Sequence, residues 1–283
     1  LMEQAPFAGV QPINNINVYY EFYPNQASEE TFVLLHGFLS STFTFRHLIS
    51  LLKKNYQVLS IDLPPFGKSA KCNRYVYSYK NIAQTVIKLT ESLGLKKMTF
   101  IGHSMGGQIV LNILHMTPEL ADKAILLCSS SYLKRSKLPL ILTSYLPYFH
   151  LFVKYWFART GVKKNLQDAL FNHTIINEEM INGYLQPFLE DEIFVALTRM
   201  IRDREGDLPV EILNEIKTPC LLLWGDHDKS MPLNVGEKLN KDLVNSELIV
   251  LKDTGHALPE ERPMEVFEYI KGFIEHYKTA AES

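Results

Sequence analysis

The sequence predicts an α/β fold in which a mostly parallel sheet, flanked by helices, carries an inserted helical cap. Three observations predict it. Over residues 15–128, short β-branched or apolar runs alternate with amphipathic segments, the pattern of β-α units around a parallel sheet. The alternation stops after Ser131 and resumes at Pro219 with two more such runs. Between them, residues 131–214 show helical periodicity and many aromatics but no run suited to a buried strand. The expected division is a core of residues 1–130 and 215–283 and an insertion of residues 131–214.

Taken in order, residues 16–23 alternate in polarity as a half-exposed strand does. Residues 32–35, 57–61, 98–101 and 124–127 are short apolar runs suited to strands covered on both faces. Residues 43–53, 79–93 and 105–116 place apolar side chains three and four apart and are expected as helices, with Gly94 stopping the second. Residues 138–157 are the most apolar stretch and approach the length of a membrane span, but Pro139, Pro147, His150 and Lys154 interrupt it. They are expected as cap helix, contact with a membrane surface being the lesser reading. Their aromatics (Tyr145, Tyr148, Phe149, Phe152, Tyr155, Trp156, Phe157) are expected mostly in the cap's own core. Residues 220–224 and 247–251 read as two more buried strands that complete the sheet, each followed by a helix.

A chain of 283 residues suits one α/β domain with an insertion, and 46% hydrophobic against 21% charged residues excludes a disordered chain. Twenty-nine basic against thirty-one acidic residues leave no cationic excess to attract nucleic acid. The three cysteines, Cys72, Cys128 and Cys220, are too few for a disulfide framework, and the first fifteen residues lack a secretory signal pattern. A reducing, cytoplasmic location is expected.

Gly102-His103-Ser104-Met105-Gly106 matches G-x-S-x-G. Such a triplet arises by chance in about one chain in ten of this length, so its weight lies in its context. The motif follows the buried run 98–101 and opens a helix, the strand-turn-helix setting that exposes a nucleophilic serine. A serine hydroxyl needs an adjacent base, itself oriented by a carboxylate. The chain supplies Trp224-Gly225-Asp226-His227-Asp228 and Asp253-Thr254-Gly255-His256 after its last two strands, on the sheet edge that carries Ser104. The Asp226-His227-Asp228 cluster lacks a companion H-E-x-x-H or cysteine pair, and no metal is expected. Gly67-Lys68-Ser69 looks like the end of a phosphate-binding loop, but that motif needs glycine where Asp62 stands.

With these motifs, residues 16–130 and 215–277 resemble the α/β-hydrolase family. The likeness includes His36-Gly37-Phe38, Gly-His-Ser-Met-Gly-Gly, the Trp-Gly-x-x-Asp run ending at Asp228, and Gly255-His256 with Glu260 and Pro263 beyond. Residues 62–69 are similar to the family's D-x-x-G-x-G-x-S loop, except that Pro65 replaces a usual glycine. The resemblance implies Ser104 as nucleophile, His256 as general base, Asp228 as its orienting carboxylate, and the Phe38 and Met105 backbone N–H groups as oxyanion hole. It implies scaffold roles for His36 and His103. No cofactor is required. The expected function is hydrolysis of a small-molecule carboxylic ester with an apolar acyl or alcohol group. The alternatives are carbon–carbon bond or lactone hydrolysis on the same triad, or a slow-turnover sensor that signals through a protein partner.

Overall fold

The computed structural model describes residues 5–282, so the expected core limits at 1 and 283 lie outside the described residues. The chain opens with an antiparallel hairpin, β1 (Phe7–Ile13) and β2 (Ile16–Tyr23). Asn14 and Asn15 turn it, both at positive φ (51° and 63°), as a two-residue hairpin turn of matching twist requires. Sequence patterning misses β1, because an edge strand that buries only its last residue carries no apolar alternation.

From there the chain runs through β3 (Thr31–Leu35), α1 (Arg46–Leu52), β4 (Gln57–Ile61), α2 (Tyr79–Ser92), β5 (Met98–His103), α3 (Met105–Met116) and β6 (Ala121–Leu127). The helix expected over 43–53 is shorter, since residues 42–45 form a 3₁₀ turn capped by Ser41. The insertion contains α4 (Leu138–Thr143), α5 (Phe149–Thr160), α6 (Val162–Ala169), α7 (Glu178–Leu185), α8 (Glu192–Asp203) and α9 (Val210–Leu213). The chain then returns through β7 (Cys220–Gly225), α10 (Leu233–Asp242), β8 (Ser246–Leu251), α11 (Leu258–Glu261) and α12 (Pro263–Glu282).

The eight strands form one sheet in the order β1-β2-β4-β3-β5-β6-β7-β8. From β4 to β8 every neighbour is parallel, and β2 is antiparallel to β4. Strands β3, β5 and β7 and most of β4 and β6 are buried, as their apolar runs predict, but β8, expected buried, is the edge strand and buries only Leu251.

The insertion packs onto the core through Ile193, Phe194, Leu197 and Met200 of α8, and its two ends are tied by a Lys134–Gly206 bridge. Its aromatics depart from expectation. Tyr145, Tyr148, Phe152, Tyr155 and Trp156 are exposed, and α5 buries only Val153. The apolar residues of α5 run all round the helix, so one contact stripe against α8 cannot cover them. Among the described residues, no helix is long and apolar enough to cross a membrane.

Candidate active site

Parallel strands deliver their carboxyl-terminal loops to one sheet edge, and the expected site residues sit in those loops. Ser104 joins β5 to α3 with φ 51° and ψ −118°. That backbone costs a non-glycine residue on the order of 1–3 kcal/mol and persists only where its surroundings enforce it. Here the Ser104 N–H donates to the Leu127 carbonyl at 3.0 Å, while its own carbonyl accepts from the N–H groups of Gly107 and Ser130, each at 2.9 Å. The flanking glycines make room for the turn: a Cβ on Gly102 would lie 2.5 Å from the Gly106 carbonyl oxygen, and one on Gly106 2.0 Å from that of Leu35.

His256 follows β8 and Asp228 follows β7. His256 Nδ1 donates to Asp228 Oδ2 at 2.6 Å, and Asp228 Oδ1 accepts from the N–H groups of Ser230 and Met231 at 2.8 Å each. With the proton on Nδ1, Nε2 is the acceptor nitrogen. Burial opposes ionisation of Asp228, but the hydrogen bond and charge of His256 outweigh it and hold the carboxyl below its usual range. Asp226 faces elsewhere: its Oδ1 pairs with His227 Nδ1 at 2.7 Å and accepts from the Thr254 N–H at 3.2 Å. Of the two neighbouring aspartates, Asp228 is the one brought to His256.

The main chain of His256 is held from both sides. Its N–H donates to the Ala169 carbonyl at the end of α6 (2.7 Å), and its carbonyl accepts from His103 Nε2 (2.9 Å). His103 is deeply buried; burial, then the neighbouring charge of His256, lower its pKa to about 3 and keep it neutral. His36 donates from Nδ1 to the Gly37 carbonyl (2.7 Å) and accepts at Nε2 from the Leu63 N–H (2.9 Å), fastening the loop after β3 to the loop after β4. Burial lowers its pKa to about 4. In that second loop the Asp62 carboxylate accepts the N–H groups of Thr42 and Lys68, both at 2.7 Å, and a Cβ on Gly67 would lie 2.1 Å from Asp62 Oδ2. The loop closes on its own carboxylate.

Ser104 and His256 open on one cavity of about 320 Å³. Its floor includes Gly37 and Phe38, and its roof comes from the insertion, with Trp156, Phe157, Leu166 and Phe188 giving mainly apolar walls. Phe38 lies in the loop after β3 and Met105 is the first residue of α3; neither N–H donates within the backbone among the described residues. Tyr184 of α7 also lines the cavity. Its hydroxyl bonds Thr44 Oγ1 (2.8 Å) and Glu260 Oε1 (2.9 Å), and Glu260 takes Arg46 Nη1 at 2.5 Å. This buried cluster latches the insertion to the core.

Among the described residues, the ligand-type atoms of Cys128, Asp228 and His256 lie within 4.8 Å of one another. Burial, then the Asp228 charge, push the Cys128 thiol well above its ordinary range, so it stays protonated and ligates poorly. Sequence patterns gave no sign of Cys128, Ala169 or Tyr184 at the site. Each arrives from a distant segment, through contacts that no local motif encodes.

The family model for the α/β-hydrolase fold matches residues 30–263. The chain belongs to the α/β-hydrolase family. This hydrolase is similar to the uncharacterized hydrolase YugF of Bacillus subtilis (strain 168), with 48% identity covering 93% of this chain and 96% of that one. It is 25% identical to human epoxide hydrolase 4, over 86% of this chain and 71% of the relative. Among solved structures it resembles a thermophilic esterase from Thermogutta terrifontis with a TM-score of 0.78 at 19% identity, covering 95% of this chain and 98% of that one.

Proposed function

We propose that this α/β-hydrolase cleaves carboxylic esters bearing an apolar acyl or alcohol group, with Ser104 as nucleophile, His256 as general base and Asp228 orienting the histidine. One observation carries the reading: a serine in an enforced strained turn and a histidine already paired to a buried carboxylate open on the same apolar cavity. In this mechanism Ser104 Oγ attacks the acyl carbonyl while His256 Nε2 takes its proton. The oxyanion is stabilised by the Phe38 and Met105 N–H groups. His256 then protonates the leaving alcohol, and water releases the acyl-enzyme by the same route. No cofactor enters these steps.

The cavity's size suits a small organic substrate. A second cavity of about 390 Å³ shares Phe157, Val162, Asn165 and Phe188 with it, giving a longer apolar group room beyond the reacting centre. The test is turnover of p-nitrophenyl esters of increasing chain length, with fluorophosphonate labelling, for the native chain and Ser104→Ala. Triad removals cost on the order of 10⁴- to 10⁶-fold in rate. Ser104→Ala is expected to lose labelling and turnover while melting as the native chain does. A variant keeping a tenth of the activity would remove the serine-nucleophile reading, and labelling without turnover would favour the sensor.

A further inference from the structure

The insertion presents an unusual outer surface. Helix α4 buries none of its residues, and α5 buries one. Leu138 (64% exposed), Leu142, Tyr145 (65%), Leu146, Tyr148 (74%) and Phe152 therefore leave a broad apolar face uncovered. So many large apolar side chains exposed along one stretch of chain are uncommon on a soluble monomer unless something docks there.

The charge around this face identifies what docks. Residues 124–167 contain no Asp or Glu but seven cations, Lys134, Arg135, Lys137, Lys154, Arg159, Lys163 and Lys164, in a chain whose net charge is −2. Lys154 is answered by Asp191 and Lys164 by Asp168. Lys134, Lys137 and Lys163 have no carboxylate partner among the described residues. The nearby Glu190 already pairs with Lys71 at 2.8 Å. Leucines flanked by tyrosines, a tryptophan and unpaired lysines are what a helix lying in a lipid–water interface carries: the apolar groups enter the acyl boundary, aromatic rings sit at headgroup depth, and lysines meet anionic headgroups. The face also runs into the site, because Trp156 and Phe157 of α5 line the Ser104 cavity and Lys154 and Phe157 line the second cavity beside it.

We propose, taking up what the sequence left as the lesser reading of residues 138–157, that α4 and α5 dock this protein on an anionic lipid surface as a peripheral, non-spanning anchor. Docked there, the cavity mouth receives apolar substrate partitioned into the bilayer. A neutral apolar protein partner would explain the leucines but not the cations left over once Asp168 and Asp191 have each taken one lysine.

The test is co-sedimentation with vesicles of phosphatidylcholine alone and of phosphatidylcholine mixed with phosphatidylglycerol, at low and high salt. It needs no ester, so its outcome is separable from that of the catalytic reading. The native protein is expected to sediment with phosphatidylglycerol vesicles, less with phosphatidylcholine alone, and to be released by salt. Leu142→Glu combined with Leu146→Glu, and separately Lys137→Glu with Lys163→Glu, should each lower the bound fraction by about tenfold or more while near-ultraviolet dichroism stays native. Neither pair lines the Ser104 cavity or the one beside it, or joins the core. No sedimentation of the native chain, equal binding to neutral vesicles, or unchanged binding by both variants would overturn the proposal. So would a native dimer in light scattering that the leucine variant converts to monomer, since the face would then belong to a second copy.

Discussion

Asp226 and Asp228 stand two residues apart and differ in one respect that matters: Asp228 gives one oxygen to His256 and the other to two backbone N–H groups, whereas Asp226 serves a surface turn. On the proposed mechanism, Asp228→Asn should lower kcat by roughly 10⁴-fold through loss of the correct imidazole tautomer, and Asp226→Asn by less than about tenfold. Reversed effects would reassign the carboxylate and leave the rest of the chemistry standing. The buried histidines set a second expectation. His36 and His103 have folded-state pKa values of about 4 and about 3, against 6.5 ordinarily. Unfolding therefore takes up protons below pH 6.5, and the stability these neutral rings contribute above that pH is lost as pH falls toward their folded values. Asp62 works in the opposite sense, because burial raises its pKa to about 6 and the folded state gains a proton as pH falls through that value. Two histidines against one carboxylate leave a net loss, so the urea midpoint should fall between about pH 7 and about pH 5, more steeply in Asp62→Asn. An unchanged midpoint would contradict buried neutral histidines.

At the scale of elements, the insertion's aromatics divide between cavity wall and outer surface. Trp156 and Phe157 line the cavity, whereas Tyr148, on the same apolar stretch, does not. Phe157→Ala and Leu166→Ala should move the preferred ester toward longer chains by one or two methylenes, each worth about 1 kcal/mol or several-fold in kcat/KM, and Tyr148→Ala should leave the profile unchanged. A flat profile across the lining variants, with melting temperatures retained, would mean that the insertion does not select substrate. This division could not be read from the sequence. The helical periodicity of residues 149–160 was legible, but which side of an all-round apolar helix meets α8 depends on packing between segments distant in the chain.

For the whole molecule, what was legible followed from repetition and geometry. Strand β2 was visible from its alternation and the later strands as apolar runs, whereas β1 was hidden by its exposure, although Asn14-Asn15 was the local signal for the hairpin. The sheet edge bearing Ser104, Asp228 and His256 was foreseeable because every parallel strand ends there. The Ala169–His256 bond, the Tyr184–Glu260 latch and the exposure of the apolar stretch 138–157 were not, since each exists only once the insertion has folded back over the sheet.

The hydrogen bond from the His256 N–H to Ala169 gives the insertion a part in arming the site. A Cβ on Gly255 would lie 2.5 Å from that same Ala169 oxygen, so the last turn of α6 and the histidine loop fit only against each other. If α6 lifts, the proposed base loses its main-chain tether, and an open molecule admits solvent and substrate with its chemistry disengaged. The His256 amide is a built-in reporter of this closure: in native-state hydrogen–deuterium exchange it should be among the slow amides outside the sheet. Exchange there as fast as in the exposed turn at Asp253 would mean that α6 opens freely and that the tether does not govern access.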